Sequence, residues 1–589
     1  MFRVSPNGQY ISYLKSYNDR QNIWIRSLKD GTERSLTEFS DVGVREYFWS
    51  FNNDVVFTRD VQGKENYNLN TINLKTGKIT PILETDSVRG RLLFRDQHRP
   101  DWIVIAMNKR DESIFDVYRL NVRTGELKLY ITNPGNVTNW YPDWQGNIRL
   151  AKTSDGVNET LLYRDSDNSE FRPIIINNFK NQVSPLVFAK KANCFYALSN
   201  VNRDKSVVVE IDANTGEEEC VVYGNAKVDI VSAQASRKNR DLEYVSWDDD
   251  RPQQHVLSPN VRDMFEQVRK ENPRANIRVL DRDSAEQHYI VATSTDKDPG
   301  SYFLYDFSTR KLSHLADLNT AMDTANLSNV KPVTFQASDG MPLRGYLTLP
   351  LHSSGKGLPV VVLPHANMWG RNVWGYDAEV QFLANRGYAV FQVNFRGSTG
   401  FGKAFHQAGF KQLSGKMQQD ITDGVNWLVK EGIADPQRIG IYGSNFGGFS
   451  ALYQTANHPK LYRCAAVSYG IINLFTYLKD IPPYFKPKLT MMYEMVGNPE
   501  TDADMFRTAS PVFYTNRIRS PLLIFQGEKD PSANINEVNH FVSELRRQKV
   551  PVNYVLKSNE RKYFRSEHNK IEQYTLLERF LEKNLKAKR

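Results

Sequence analysis

The stretch "RIGIYGSNFGGFSALYQTANH", residues 438–458, runs from an apolar strand into a helix through a glycine-rich turn. "RIGIYG" has the short, apolar character of a buried strand, and "GFSALYQTANH" has helical spacing. Strand, "GSNFGG", helix is the setting of the nucleophile elbow, G-x-S-x-G. In this register the apex is Asn445, flanked by Gly443, Ser444, Phe446 and Gly447, and the serine stands one place early. The Ser444 side chain is expected to turn away from the cleft. Asn445 is expected at a sharp turn with positive φ, which asparagine tolerates better than most residues.

Strands and helices continue to alternate on both sides of this turn. "PLRGYLTLP" (342–350), "LPVVVLP" (358–364), "YAVFQVNF" (388–395), "CAAVSYG" (464–470), "PLLIFQG" (521–527) and "VNYVLKS" (552–558) read as strands. "DAEVQFLANRG" (377–387), "ITDGVNWLVKEG" (421–432), "INEVNHFVSELRRQ" (535–548) and "EQYTLLERFLEKNL" (572–585) read as helices. Such alternation implies a mostly parallel sheet covered on both faces. Residues 1–325 differ: strand, turn and strand recur in "NIWIRSLKDGTERSLT" (from 22), "YNLNTINLKTGKITPIL" (from 67) and "FDVYRLNVRTGELKLYI" (from 115). Fainter copies are "VVVEIDANTGEEECVV" (207) and "YFLYDFSTRKLSHLA" (302). Read as two-residue hairpin turns, the K/N/R-T-G tripeptides and a period of roughly 45 residues indicate a β-propeller of about seven blades. A solenoid or sandwich array is the alternative. "SPNVRDMFEQVRKENPRA" (258–275) has a helical period and reads as an insertion. Two domains are expected, 1–325 and 326–589.

At 589 residues the chain exceeds one ordinary core. Its net charge of +9 comes from 76 basic and 67 acidic residues that are interspersed, which argues against a nucleic-acid partner. No apolar run approaches the ~18 residues of a membrane span. The 3 cysteines, Cys194, Cys220 and Cys464, lie far apart and imply neither a disulfide framework nor a metal site. No cofactor is expected. The location is expected to be cytoplasmic, or periplasmic if a leader has been removed.

The C-terminal half resembles the prolyl oligopeptidase family of serine peptidases, especially its acylaminoacyl-peptidase and dipeptidyl-peptidase-like members. The resemblance rests on "WGYDAEVQFLANRGYAVFQVNFRGSTGFGKAF" (374–405), "GKMQQDITDGVNWLVKEGIADPQRIGIYG" (415–443), "IPPYFKP" (481–487) and "PLLIFQGEKDP" (521–531). It implies an N-terminal propeller followed by an α/β-hydrolase domain, and so covers essentially the whole chain. It also implies a serine, an aspartate and a histidine, in that chain order. The aspartate position, G-x-x-D-P, is met by Asp530 in "GEKDP". The histidine loop, D-E-G-H-G-F in the family, reads "NERKYF" here, which places Lys562 at the base and Arg561 and Tyr563 at its glycines. Asn445 occupies the nucleophile position, and the oxyanion loop H-G-G-P becomes "HANM", from His365 through Ala366 to Met368.

An asparagine amide has no useful lone pair for acyl transfer, and deamidation to aspartate would still leave no base. A Ser444–Lys562 dyad would need a strongly depressed lysine, whereas Asp530 nearby favours the ammonium. Loss of serine or histidine alone from a comparable triad costs about 10⁶ in kcat. The reading that follows is a catalytically inactive family member that binds peptides or a protein partner, as a homo-oligomer or paired with an active paralogue. The alternative is an active serine-type oligopeptidase or acyl-peptide hydrolase with rewired residues. A third reading is an interaction scaffold whose propeller face binds a partner. Lys562 and Asp530 are expected to form an ion pair.

Overall fold

The structure, a computed structural model, describes residues 2–59, 67–479, 481, 488–530 and 532–586. Seven small antiparallel sheets follow one another over residues 3–35, 44–83, 90–131, 137–178, 183–223, 230–256 and 276–317. First strands touch between blades 1 and 2, 3 and 4, and 7 and 1, around a central channel. Blade 1 meets blade 7 without sharing a strand: Val4 N donates to Asp281 Oδ2 at 3.2 Å and Ser284 N to Pro6 O at 2.9 Å. Blade 6 has three strands, and the expected helix, Arg262–Glu271, follows them. Its Met264, Phe265 and Val268 pack on Tyr244 and Tyr289, so the insertion completes a core.

The hairpins at the K/N/R-T-G tripeptides are longer than the two-residue turns expected. Asn73 Oδ1 accepts from Lys75 N (3.2 Å) and Thr76 N (3.0 Å), and Gly77 N closes on Asn73 O at 2.8 Å. Asn121 and Asp212 organise their turns in the same way. A side-chain carboxyl or amide oxygen that captures the next backbone N–H groups competes with the strand ladder, and this lengthens the connection.

The second half is built on one sheet of eight strands: β1 (Val330–Gln336), β2 (Pro342–Thr348), β3 (Leu358–Val362), β4 (Ala389–Asn394), β5 (Ala434–Ser444), β6 (Cys464–Ser468), β7 (Leu522–Gly527) and β8 (Val552–Lys557). Their order is 1-2-4-3-5-6-7-8, antiparallel at β1–β2 and β2–β4 and parallel elsewhere. Strand β1 is not anticipated by the sequence reading, since "VKPVTFQ" contains a proline and little alternation; as an edge strand it tolerates both. The helices that cover the sheet include α1 (Ala378–Asn385), α2 (Lys416–Lys430), α3 (Phe446–Asn457), α4 (Ile535–Arg547) and α5 (Glu567–Leu585).

The period-two pattern of β3 sorts the layers. Val360 and Val362 face α2, α3 and α4, while Val361 faces α1 and α5. Arg396, just after β4, anchors α2: its guanidinium is buried and grips Asp420 through Nε (2.9 Å) and Nη2 (2.6 Å), and Asp339 through Nη1 (2.8 Å). Paired forks of this kind fix geometry as well as charge. No helix among the described residues is long and apolar enough to cross a membrane.

Glu379, in the first turn of α1, is enclosed against β5 and α5, where Tyr574 Oη donates to it at 3.5 Å. Burial raises its carboxyl from 4.5 to about 7, with Tyr442 and Tyr574 opposing the shift and Asp377 adding to it. The folded chain therefore holds this proton more tightly than the unfolded chain, so stability falls as pH rises from 4.5 to about 7. Glu379→Gln should raise the melting temperature at pH 8, by a stabilisation on the order of 2 kcal/mol. Near pH 4 the two proteins should melt alike. Thermal denaturation of both across this range checks the sign.

Candidate functional site

Strand β5 ends at Ser444 and α3 begins at Phe446, so Asn445 alone makes the turn. Its backbone lies at φ 51°, ψ −113°, as the elbow reading expects. Such a conformation costs a residue with a side chain about 1–3 kcal/mol and persists only where the surroundings impose it. Here Asn445 N donates to Ser468 O of β6 at 3.0 Å, and Phe449 N to Asn445 O at 2.9 Å. The space around the turn is minimal. A Cβ on Gly443 would lie 2.3 Å from the Gly447 carbonyl carbon, and one on Gly447 would lie 2.4 Å from the Pro364 carbonyl oxygen. These glycines are required by packing whatever residue occupies the apex.

In a nucleophile elbow, the N–H that follows the apex residue is one donor to the developing oxyanion. In this chain Phe446 N donates to Ala366 O at 3.1 Å. The loop that supplies that carbonyl is held by His365, whose ring is stacked on Phe395 with 4.1 Å between centroids. His365 Nδ1 lies 2.6 Å from Asn367 O and Nε2 lies 3.0 Å from Ser398 Oγ. Burial pushes this imidazole down to about 4, so it is neutral at physiological pH. The neutral ring donates from Nδ1 to the carbonyl and is a structural strut for the loop.

Asp530 and Lys562 follow β7 and β8, so both stand at the same end of the sheet as the elbow, β5–β8 being consecutive neighbours. Asp530 is buried and accepts from Ser532 N (2.9 Å), Ser532 Oγ (2.7 Å) and Gln526 Nε2 (3.3 Å). The expected Lys562–Asp530 ion pair is not made among the described residues. The carboxylate is already satisfied by these shorter, local donors. Burial pulls the Lys562 ammonium below its ordinary value, and Asp530 opposes that shift from a distance. Tyr563, at φ 65°, packs on Tyr469 with 5.5 Å between ring centroids, and Phe564 N donates to Tyr469 Oη at 2.9 Å. The loop is thereby pinned over the end of β6. No hydrogen bond joins Asn445, Asp530 and Lys562 to one another among the described residues. His568 is exposed in the first turn of α5 and His540 is exposed on α4. Of "IPPYFKP" only Ile481 belongs to the described residues, and Pro531 of "GEKDP" lies outside them.

A cavity of about 670 Å³ opens between the propeller and the sheet. Its walls include Tyr141, Asp248 and Lys152 of the propeller, with Arg371, Lys403 and His406 from the other domain. The domains are joined at its rim. Asp229 N donates to Gly400 O (3.0 Å), Gly402 N to Asp229 Oδ2 (3.0 Å), and Lys403 N to Asp204 O (2.8 Å). Arg371 lies over the Phe401 ring at 4.0 Å and donates to Asp248 O at 3.0 Å. The Asp248 carboxylate accepts no hydrogen bond among the described residues. Burial raises its pKa, with Arg371 opposing. The cavity residues escaped the sequence reading because they come from several blades and two loops, with no shared spacing. "SWDDDRP" (246–252) is the nearest thing to a signal, an acidic run ending a blade strand.

The blades, the eight-stranded sheet and the strand–turn–helix elbow define a propeller-bearing α/β-hydrolase. The family model described as the prolyl oligopeptidase family matches residues 374–588. Dipeptidyl aminopeptidase BIII of Pseudoxanthomonas mexicana is 30% identical over 591 aligned residues, covering 96% of this chain and 84% of that protein. Dipeptidyl peptidase family member 6 of Caenorhabditis elegans is 26% identical, covering 99% of this chain and 84% of its own length. A solved puromycin-hydrolyzing peptidase of Mycobacterium tuberculosis superposes with a TM-score of 0.80 over 99% of this chain and 94% of its own, at 16% identity. The chain belongs to the prolyl oligopeptidase family.

Packing at the elbow makes opposite demands on adjacent residues. Asn445→Gly should stabilise the fold by about 1 kcal/mol through relief of backbone strain. Gly447→Ala should destabilise it by about 1–3 kcal/mol, because backbone must move to admit the methyl. Lys562→Met, which keeps the methylenes and removes a desolvated charge, should be neutral or stabilising by about 1 kcal/mol. Urea denaturation of the three variants measures each difference.

Proposed function

We propose that this protein is a catalytically silent member of its family that binds peptides in the cavity between propeller and hydrolase domain. One observation carries the reading: at the elbow an amide side chain, Asn445, stands where acyl transfer needs an oxygen nucleophile, and the neighbouring Phe446 N–H is hydrogen-bonded to Ala366 O. Lys562 adds to it. Burial lowers its ammonium, but no hydrogen bond links it to the elbow among the described residues, so it has no proton to take there. The glycines remain because the turn needs them for packing.

The cavity supports the binding half of the proposal. Its volume falls in the range of small-ligand sites, and its walls combine aromatic surface with a few charged groups. The relatives named as dipeptidyl peptidases suggest a peptide with a free amino terminus. Asp248, half-buried and without a hydrogen-bond donor among the described residues, is a suitable partner for that ammonium.

Activity is tested by turnover of a small chromogenic ester and by labelling with a fluorophosphonate probe. Wild type, Asn445→Ser alone and Lys562→His alone should all be silent, because each single change leaves either the nucleophile or the base missing. The double variant should turn over weakly, since a misplacement of about 1 Å can cost ~10²-fold. Wild-type turnover equal to that of an intact relative, abolished by Asn445→Ala, would refute silence. Binding is tested separately, by fluorescence anisotropy with a library of short labelled peptides bearing free amino termini. Asp248→Asn should weaken the best binder roughly ten-fold. Absence of saturable binding would leave a scaffold.

A further inference from the structure

The first strand of each blade starts beside the hydrolase domain, where Asn139, Ser184 and Ile230 line the interdomain cavity. It ends at the opposite mouth of the channel, about 20 Å away for a strand of six residues. A second cavity of about 450 Å³ lies at that far mouth. Phe51, Arg95, Trp144 and Arg237, at or just beyond the ends of these strands, contribute to its walls. Lys238, Arg240 and His98 surround it as well, and no carboxylate is among its lining residues.

The cations there are poorly compensated. The guanidiniums of Arg95 and Arg237 lie 5.5 Å and 5.7 Å from the centroid of the same Phe51 ring. Arg95 has one hydrogen bond, from Nη1 to Trp49 O at 2.9 Å. The Arg237 guanidinium has no hydrogen bond or ion pair among the described residues. Arg95 is half-buried in the channel wall, and Arg237 is exposed at its mouth. Burial pushes Arg95 down to about 10, with Arg237 and Arg3 adding like-charge repulsion against the single opposing charge of Asp281. Arg237 is lowered too, chiefly by the protein around the channel mouth, with Asp281 and Glu286 opposing and Arg282 adding to the effect.

The nearby acids are engaged elsewhere. Asp96 binds Arg99 Nε (2.6 Å) and two backbone N–H groups. Glu286 accepts from Ser236 Oγ (2.5 Å) and Arg237 N (2.7 Å), and Asp281 accepts from Val4 N (3.2 Å). Arg282, buried in the same propeller, is by contrast paired with Glu243 at 2.7 Å. Guanidiniums with free N–H groups and no paired carboxylate suit oxyanions.

We propose that the far mouth of the propeller channel is a binding site for a small multivalent oxyanion, a phosphate ester or a polycarboxylate, held between Arg95 and Arg237. The excess of positive charge calls for an anion of two or three charges. The cavity has room for an organic body against Phe51, Leu92 and Leu93. The site is separate from the interdomain cavity and does not depend on what that cavity binds.

Pyrophosphate and citrate, titrated separately into the full chain by calorimetry at about 0.15 M ionic strength, probe the two sources. Saturable binding of at least one is expected. Arg237→Gln should weaken it at least roughly ten-fold, and Arg240→Ser, at a residue that makes no contact with the Phe51 ring among the described residues, should weaken it less. Arg269→Ser, on the exposed side of the blade 6 helix, should leave it unchanged. Because Arg237 makes no side-chain hydrogen bond among the described residues, Arg237→Gln should melt no lower than wild type without ligand. A stronger response to pyrophosphate assigns phosphate esters, and a stronger response to citrate assigns polycarboxylates. Failure of both to saturate by about 1 mM, or equal affinity in wild type, Arg237→Gln and Arg240→Ser, would overturn the site.

Discussion

The approach of α3 to the loop after β3 governs the C-terminal domain. A side chain on Gly447 would collide with the Pro364 carbonyl, and one on Gly443 would collide with Gly447 itself. The chain can reverse from strand to helix here only if the residue between them takes positive φ, and Asn445 does. This close passage also brings Ala366 O within hydrogen-bond distance of Phe446 N. A turn that positions a nucleophile in an active hydrolase is thus also a packing element joining β3, β5 and α3. Its glycine pattern is retained for that second reason and says little by itself about chemistry at the apex.

Two further contacts convert the sheet into a two-domain molecule with a cavity. Arg396 fastens the segment after β4 to Asp420 of α2, and the glycine-rich residues that follow reach the propeller at Asp204 and Asp229. Arg371 meets them from the loop after β3, stacked on Phe401 and bonded to Asp248 O. Charged groups at this junction mostly serve the joint. Asp248 is an exception, since its backbone oxygen is engaged while its carboxylate accepts no hydrogen bond among the described residues.

Much of the candidate site could be read from local sequence, because an elbow is a short-range object. Spacing placed Asn445 at a strained apex, and the family resemblance placed Asp530 and Lys562 at neighbouring strand ends. Ion pairing between those two failed as an inference. Ser532, two residues beyond the aspartate, supplies donors that a pattern match to distant family positions does not weigh. The occupied Phe446 N–H escaped notice for a similar reason, its acceptor lying far back in the chain at Ala366.

The same division runs through the fold. Alternation, turn residues and helix spacing determined the two halves, the blade repeats and most of the parallel strands, since these follow from backbone geometry within a few residues. Even the blade 6 helix announced itself by its period. Tertiary structure alone decided that β1 joins the sheet edge, that the blade turns are lengthened by Asn73, Asn121 and Asp212, and which charges are left without partners. Arg95 and Arg237 are ordinary cations in sequence. Closure of the ring sets them around one phenyl ring, at a cavity whose lining has no carboxylate, and that juxtaposition exists only once the blades are assembled.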